Sequence, residues 1–131
     1  MPIIEGAQQR GCAKFQYDFA LLGGSQGDIV LIGTPLPKNA VIMEGVVDVI
    51  TPITGGATVA VTTSQSVNDL ISAAADTGEP WVAAGIKALV PVGAATNAIK
   101  LTADRAPKIV VTVADITAGK FNLFIEYYLS D

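Results

Sequence analysis

The chain has 131 residues, half of them hydrophobic and 15% charged, with 8 Lys+Arg against 12 Asp+Glu and a formal net charge of −4. That balance excludes a disordered chain, which needs low hydrophobicity and high charge, and the length suits one domain with its own core. An acidic excess without a basic patch leaves nucleic acid little to bind, and the absence of His removes the usual general base and metal ligand.

Residues 1–11 lack periodicity and read as an extended N-terminal arm ahead of a single domain at 12–131. The opening Met1-Pro2-Ile3-Ile4-Glu5 has neither the basic nor the apolar region of a secretion signal. The longest apolar stretch, Trp81 to Ala95, is interrupted by Lys87, Pro91 and glycines, and is shorter than the ~20 residues of a membrane helix. The expectation is a protein made in the cytosol, soluble there, with no membrane or nucleic-acid partner.

From Cys12 the period is two. Ala13, Phe15, Tyr17 and Phe19 share one face, and Lys14, Gln16 and Asp18 the other, which predicts a half-buried strand. Gly23-Gly24-Ser25-Gln26-Gly27 is a loop, Ile29 to Ile32 a short strand, and Gly33 to Asn39 a turn with two prolines. Ala40 to Ile50 is a strand with Gly45 as a bulge or close-approach point. Thr51 to Gly56 turns the chain into a strand at Ala57 to Thr63, and the pair reads as an antiparallel hairpin. Ser66-Val67-Asn68-Asp69 has the form of a capping box, so the spacing of Leu70, Ile71 and Ala74 predicts a short helix ending near Gly78. Ala98 to Thr102, Ile109 to Ala114 and Lys120 to Leu129 are the remaining strands, with turns at Asp104 to Pro107 and Asp115 to Gly119. About eight short strands and one helix make an all-β fold: an antiparallel, jelly-roll-like β-sandwich.

The final strand carries apolar residues on both rows. Phe121, Leu123, Ile125, Tyr127 and Leu129 form one, and Phe124 and Tyr128 interrupt the polarity of the other. A strand apolar on both faces is covered on both. In a small β domain a neighbouring subunit can supply the second cover, as can a helix or loop of the same chain.

Reactive chemistry is sparse. The lone Cys12 reads as a small apolar strand residue rather than a nucleophile, having no helix start or cation to lower its pKa. The loop at Gly23 to Gly27 lacks the Lys-Ser/Thr and following helix of a P-loop. Asp48, Asp69, Asp76, Asp104 and Asp115 fall in or beside turns, where Asp holds local backbone. These absences argue against an enzyme, a metal site or any cofactor. Trp81, beside Pro80, reads either as a plug over the core or as a contact residue, and with Asp76 and Glu79 it could serve a carbohydrate- or receptor-binding module.

Several segments in order resemble the small β-rich virion proteins that decorate or cement tailed-bacteriophage capsids, including head-fibre proteins. They are Phe15 to Phe19, Leu36 to Ile42 running into Val46 to Val49, Gly55 to Val61, Asn68 to Ala74 and Thr117 to Tyr127. The resemblance implies a jelly-roll-like homotrimer that binds the major capsid protein on the outside of the virion and has no catalytic residues. Because the chain ends soon after the last strand, it implies cement rather than a fibre with a distal receptor-binding part. On this reading the arm residues Ile3, Ile4, Gln8, Gln9 and Arg10 dock to the shell, and Phe124, Tyr128 and Trp81 meet neighbouring subunits.

Overall fold

Strands with apolar residues at every second position hide them only when two sheets meet face to face. A computed structural model, which describes residues 10–65, 69–89 and 99–130, shows that arrangement. In chain order the elements are β1 (Arg10–Asp18), α1 (Phe19–Leu22), β2 (Gly27–Val30), β3 (Ala40–Thr54), β4 (Thr58–Thr62), β5 (Ile71–Ala75), β6 (Gly85–Ala88), β7 (Lys108–Thr112) and β8 (Ala118–Leu129). One sheet has the order β1-β8-β3-β6 and the other β2-β7-β4-β5. The partnerships β1/β8, β2/β7, β3/β6 and β4/β5 are those of one long hairpin folded at its middle, and rolling that hairpin adds β8/β3 and β7/β4. The result is the expected all-β, jelly-roll-like sandwich, with one short helix among the described residues.

The core follows the predicted rows. Phe15 and Tyr17 of β1, Val47 and Val49 of β3, and Phe121, Leu123 and Ile125 of β8 are buried from one sheet; Val59, Val61, Ile109 and Val111 meet them from the other. Trp81 ties the two layers together. Its ring lies 5.1 Å from that of Phe121 on β8, and its Nε1 donates to Val59 O on β4 at 3.1 Å. Tyr17 packs on the same Phe121 at 5.6 Å, and its hydroxyl donates to Gly23 O at 2.6 Å.

The structure corrects three local expectations. The helix expected after Ser66 is not formed by the described residues there. Ser66 to Asn68 lie outside them, Asp69 and Leu70 are irregular, and residues 71–75 are strand β5. Three apolar positions give a helix too small a face, and pairing with β4 satisfies the backbone instead. Asp69 accepts from Thr63 N and from the Thr63 hydroxyl, so its carboxylate closes a loop. The one helix among the described residues is α1, which takes Phe19 out of the row expected for the first strand: Asp18 Oδ1 accepts from Ala20 N at 3.0 Å, and Gly23 ends the turn at φ 75°.

The second correction concerns β3 and β4, which follow one another but do not pair as a hairpin. They lie in opposite sheets. Register shifts between Val49 and Thr51 and between Thr51 and Thr54 bend β3 away, and Gly55, at φ 122°, carries the chain across. The third lies near the end of the chain. Ala98 is outside the described residues, and Lys100 makes only an isolated bridge to Val41, with Ile99 O and Leu101 N bonded to β3. Gly45 is a close-approach point as expected: a Cβ there would sit 2.2 Å from Phe124 O.

Burial pushes the Tyr17 hydroxyl up to about 12, with the nearby Asp18 charge acting in the same direction. The unfolded phenol ionises near ~10. The neutral phenol's contribution to stability is therefore complete below the unfolded value and lost as pH rises toward the folded one. Urea unfolding across this range should show a falling stability that is shallower in Tyr17→Phe; parallel pH curves would contradict it.

Candidate assembly surfaces

The second row of β8 lies on the outward face of the first sheet, and register assigns its neighbours. Gln16, Asn122, Asp48 and Ile86 stand side by side across four strands. Lys14, Phe124, Val46 and Ala88 form the next row, and Cys12, Glu126 and Glu44 the next. Phe124 is half-buried among them, with Lys14 Nζ 5.9 Å from its ring centroid. Gln16 Nε2 donates to Asn122 Oδ1 at 3.1 Å. Ile86 is 71% exposed and Tyr128 40%.

A groove of about 360 Å³ crosses this face, lined by Val46, Ala88, Leu89 and Phe124 and by the carboxylates of Glu44 and Glu126. It is an apolar centre with an acidic border. Sequence spacing singled out Phe124 and Tyr128 but missed Val46 and Ile86, because their face depends on which strand they pair with. The signal available was the apolar pair Val46-Val47, which puts one Val on each side of β3. Cys12 is exposed on this face and not a packed core residue, since it has the opposite parity to Phe15 and Tyr17.

A second, larger hollow of about 710 Å³ lies between β5 and β6, with Leu70, Ile71, Ala74, Pro80, Lys87 and Ala88 on its walls. Lys87 Nζ donates to Pro80 O at 3.0 Å and stands 3.9 Å from a Glu79 carboxylate oxygen.

Trp81 is fully buried, so it offers no surface to a neighbouring subunit or to a sugar. Its ring fills the space between the sheets, and its one polar atom is bonded inside. This corrects its placement at the subunit interface and removes the platform on which the carbohydrate reading rested. Asp76 Oδ2 accepts from Gly56 N at 2.8 Å and so holds a turn. Of the proposed docking arm, Ile3, Ile4, Gln8 and Gln9 lie outside the described residues, and Arg10 opens β1 opposite Tyr128.

The aspartates do the local work expected of them. Asp104 Oδ1 accepts from Lys38 N at 2.7 Å and Asp115 Oδ1 from Gln26 N at 3.1 Å. Asp48 is the exception, standing in mid-strand on β3. Among the described residues no group of three or more Cys, Asp or Glu could hold a metal ion. No described helix is long and apolar enough to cross a membrane.

No family model matches the chain, and no curated protein matches it in sequence. Solved structures share its fold. A chain in the acidic stable capsid structure of Helicobacter pylori bacteriophage KHP30 superposes with a TM-score of 0.62 at 15% identity, covering 93% of this chain and 89% of that one. A chain in the cyanophage Pam1 capsid asymmetric unit gives 0.62 at 16% identity, covering 92% and 85%. A chain in the capsid of Ralstonia phage GP4 gives 0.63 at 19% identity, covering 93% and 85%. The protein therefore has a β-sandwich fold found in chains of phage capsid structures.

Trp81→Ala should cost about 3–5 kcal/mol of unfolding free energy, as truncation of a fully buried aromatic does. Urea denaturation measures it. A loss under about 1 kcal/mol, typical of an exposed site, would contradict the inter-sheet role.

Proposed function

We propose that this protein is a non-catalytic structural component of a phage virion, a decoration or cement protein on the outside of the head. The observation that carries the reading is the near-complete superposition on chains from three phage capsid structures. The surface supports it: the outward face of the first sheet presents Phe124, Val46, Ile86 and Tyr128 rather than a polar coat. Such a face suits broad contact, which gains roughly 25 cal/mol per Å² of apolar area before the entropy of association is subtracted.

On this reading the working unit is a homotrimer held through the face around Phe124 and Tyr128. On the same reading Ile3, Ile4, Gln8, Gln9 and Arg10 are the residues that dock to the major capsid protein. Threefold repetition of a weak contact gives strong attachment, because after the first arm binds the others bind effectively intramolecularly.

Light scattering should give about three times the chain mass of 13.5 kDa. Phe124→Asp with Tyr128→Asp should return it to a monomer with an unchanged circular dichroism spectrum. A monomeric parent chain overturns the trimer. Removal of residues 2–9 should abolish sedimentation with undecorated phage heads while leaving the thermal transition in place; full retention of binding would rule out the arm as the anchor.

A further inference from the structure

The two flanks of the sandwich are finished differently. On one, β1 and β2 are adjacent edges, and the chain after β2 stitches them: Gln16 and Ile32 exchange both backbone hydrogen bonds at 2.9 Å. On the other, β5 and β6 each have a strand on one side only. Edge strands are usually guarded against pairing by a charge, a proline or a covering segment. β6 carries Lys87. β5, Ile71-Ser72-Ala73-Ala74-Ala75, has no charge and no proline, and among the described residues no strand pairs with its outer edge.

The backbone of β5 is set for pairing. Its register shift with β4 falls toward the Ile71 end, and the partners Thr58/Ala75 and Val59/Ala74 are regular. Asp76 N donates inward to Ala57 O at 2.9 Å. Backbone groups alternate between the two edges of a strand, so the N–H and C=O of Ala73 and the N–H of Ala75 face outward, while the Ala75 C=O already accepts from Gly78 N at 2.9 Å. Ser72, Ala73 and Ala75 are exposed. Beside them lies the hollow of about 710 Å³ with its apolar walls.

We propose that the outer edge of β5 pairs with β5 of a second copy, antiparallel across a twofold axis at Ala73. A second copy supplies an identical unguarded edge. Centred there, Ala73 faces Ala73, Ser72 faces Ala74 and Ile71 faces Ala75. No like charges meet, and the small side chains let two backbones approach to the ~4.8 Å of paired strands. The charges bordering the hollow, Lys87 and Glu79, have opposite signs and lie 3.9 Å apart within one copy, so two hollows meet without net repulsion. The second sheets of the two copies become one continuous sheet, β2-β7-β4-β5 running into its symmetry mate.

This contact uses neither Phe124 nor Tyr128 and stands or falls apart from the trimer. In a trimer it joins one assembly to the next across twofold axes. Five residues of pairing are a small contact alone, and gain strength where many copies are held side by side.

The test places Ala73→Cys in the full chain with Cys12→Ser. Directly opposed residues have Cα atoms ~5.5 Å apart, within disulfide range. Under mild oxidation the variant should form covalent dimers about tenfold faster than Ser25→Cys in the same background, as an effective-concentration advantage requires. Adding Ala75→Pro, which removes an outward N–H and is tolerated at an edge, should abolish the advantage with circular dichroism unchanged. In the unaltered chain the amides of Ala73 and Ala75 should gain protection from hydrogen exchange as concentration rises. Equal cross-linking rates, or concentration-independent exchange at both amides, overturn the proposal. A scattering mass of one chain with fast Ala73→Cys cross-linking would overturn the trimer and keep the strand pairing.

Discussion

β8 must satisfy a neighbour on each edge while sending every second side chain into the core, and the rest of the structure is arranged around that demand. It pairs with β1 from Asp18 to Arg10 and with β3 from Ala40 to Thr54. Its inward residues Phe121, Leu123 and Ile125 have no exposed surface. A strand bonded on both edges cannot turn over without breaking two ladders, and a shift of one residue would bring Asn122, Phe124 and Glu126 inward together. The outward position of Phe124 is therefore a consequence of the register that builds the core. One strand holds the layers together and supplies the centre of the face proposed for contact.

The loops are held by the acidic side chains. Asp18, Asp69, Asp76, Asp104 and Asp115 each accept a backbone N–H, from Ala20, Thr63, Gly56, Lys38 and Gln26 in turn. A carboxylate that accepts backbone donors in a turn keeps otherwise unpaired N–H groups satisfied. Most of the aspartates are committed in this way, which fits a molecule whose acids serve architecture. The aromatic row Tyr17, Phe121 and Trp81 does the corresponding work inside, since Phe121 is shared by the other two rings and Trp81 reaches across to β4.

How much could be read from the sequence depended on whether the deciding interaction was local. The alternation in β1 and β8 named their buried rows, because one face of each strand meets a core whatever the topology. The turn at Gly55-Gly56 was legible as a turn. Whether β4 returned to the same sheet was not, because that depends on bulges in β3 that express its pairing with β8. The segment from Leu70 to Ala75 was misread because the helical spacing of Leu70, Ile71 and Ala74 is also compatible with an edge strand, and β4 decides between them. Trp81 showed the same limit. A tryptophan beside a proline reads either as a core plug or as a loop contact, and the bond from its ring nitrogen to Val59 O decides for the plug. On the assembly face, Phe124 and Tyr128 stood out by breaking the polarity of their own row, whereas Val46 and Ile86 became part of it only through register with other strands.

The two unfinished surfaces differ in kind, and that difference determines what each can do. The outward face of the first sheet is a side-chain surface. Its apolar side chains stand above strands paired within the sheet, so contact there depends on shape and apolar area and can be broken by a single charge. The β5 edge is a backbone surface whose side chains are almost featureless, so contact there depends on direction and spacing and tolerates exchange among small residues. A chain with few charges needs some way to prevent its copies from associating in arbitrary orientations. Hydrogen bonds along an edge fix orientation where an apolar face alone does not. Because the two surfaces lie on different sheets, the two proposed contacts do not compete, and on that proposal repetition of both would link units laterally as well as within each assembly.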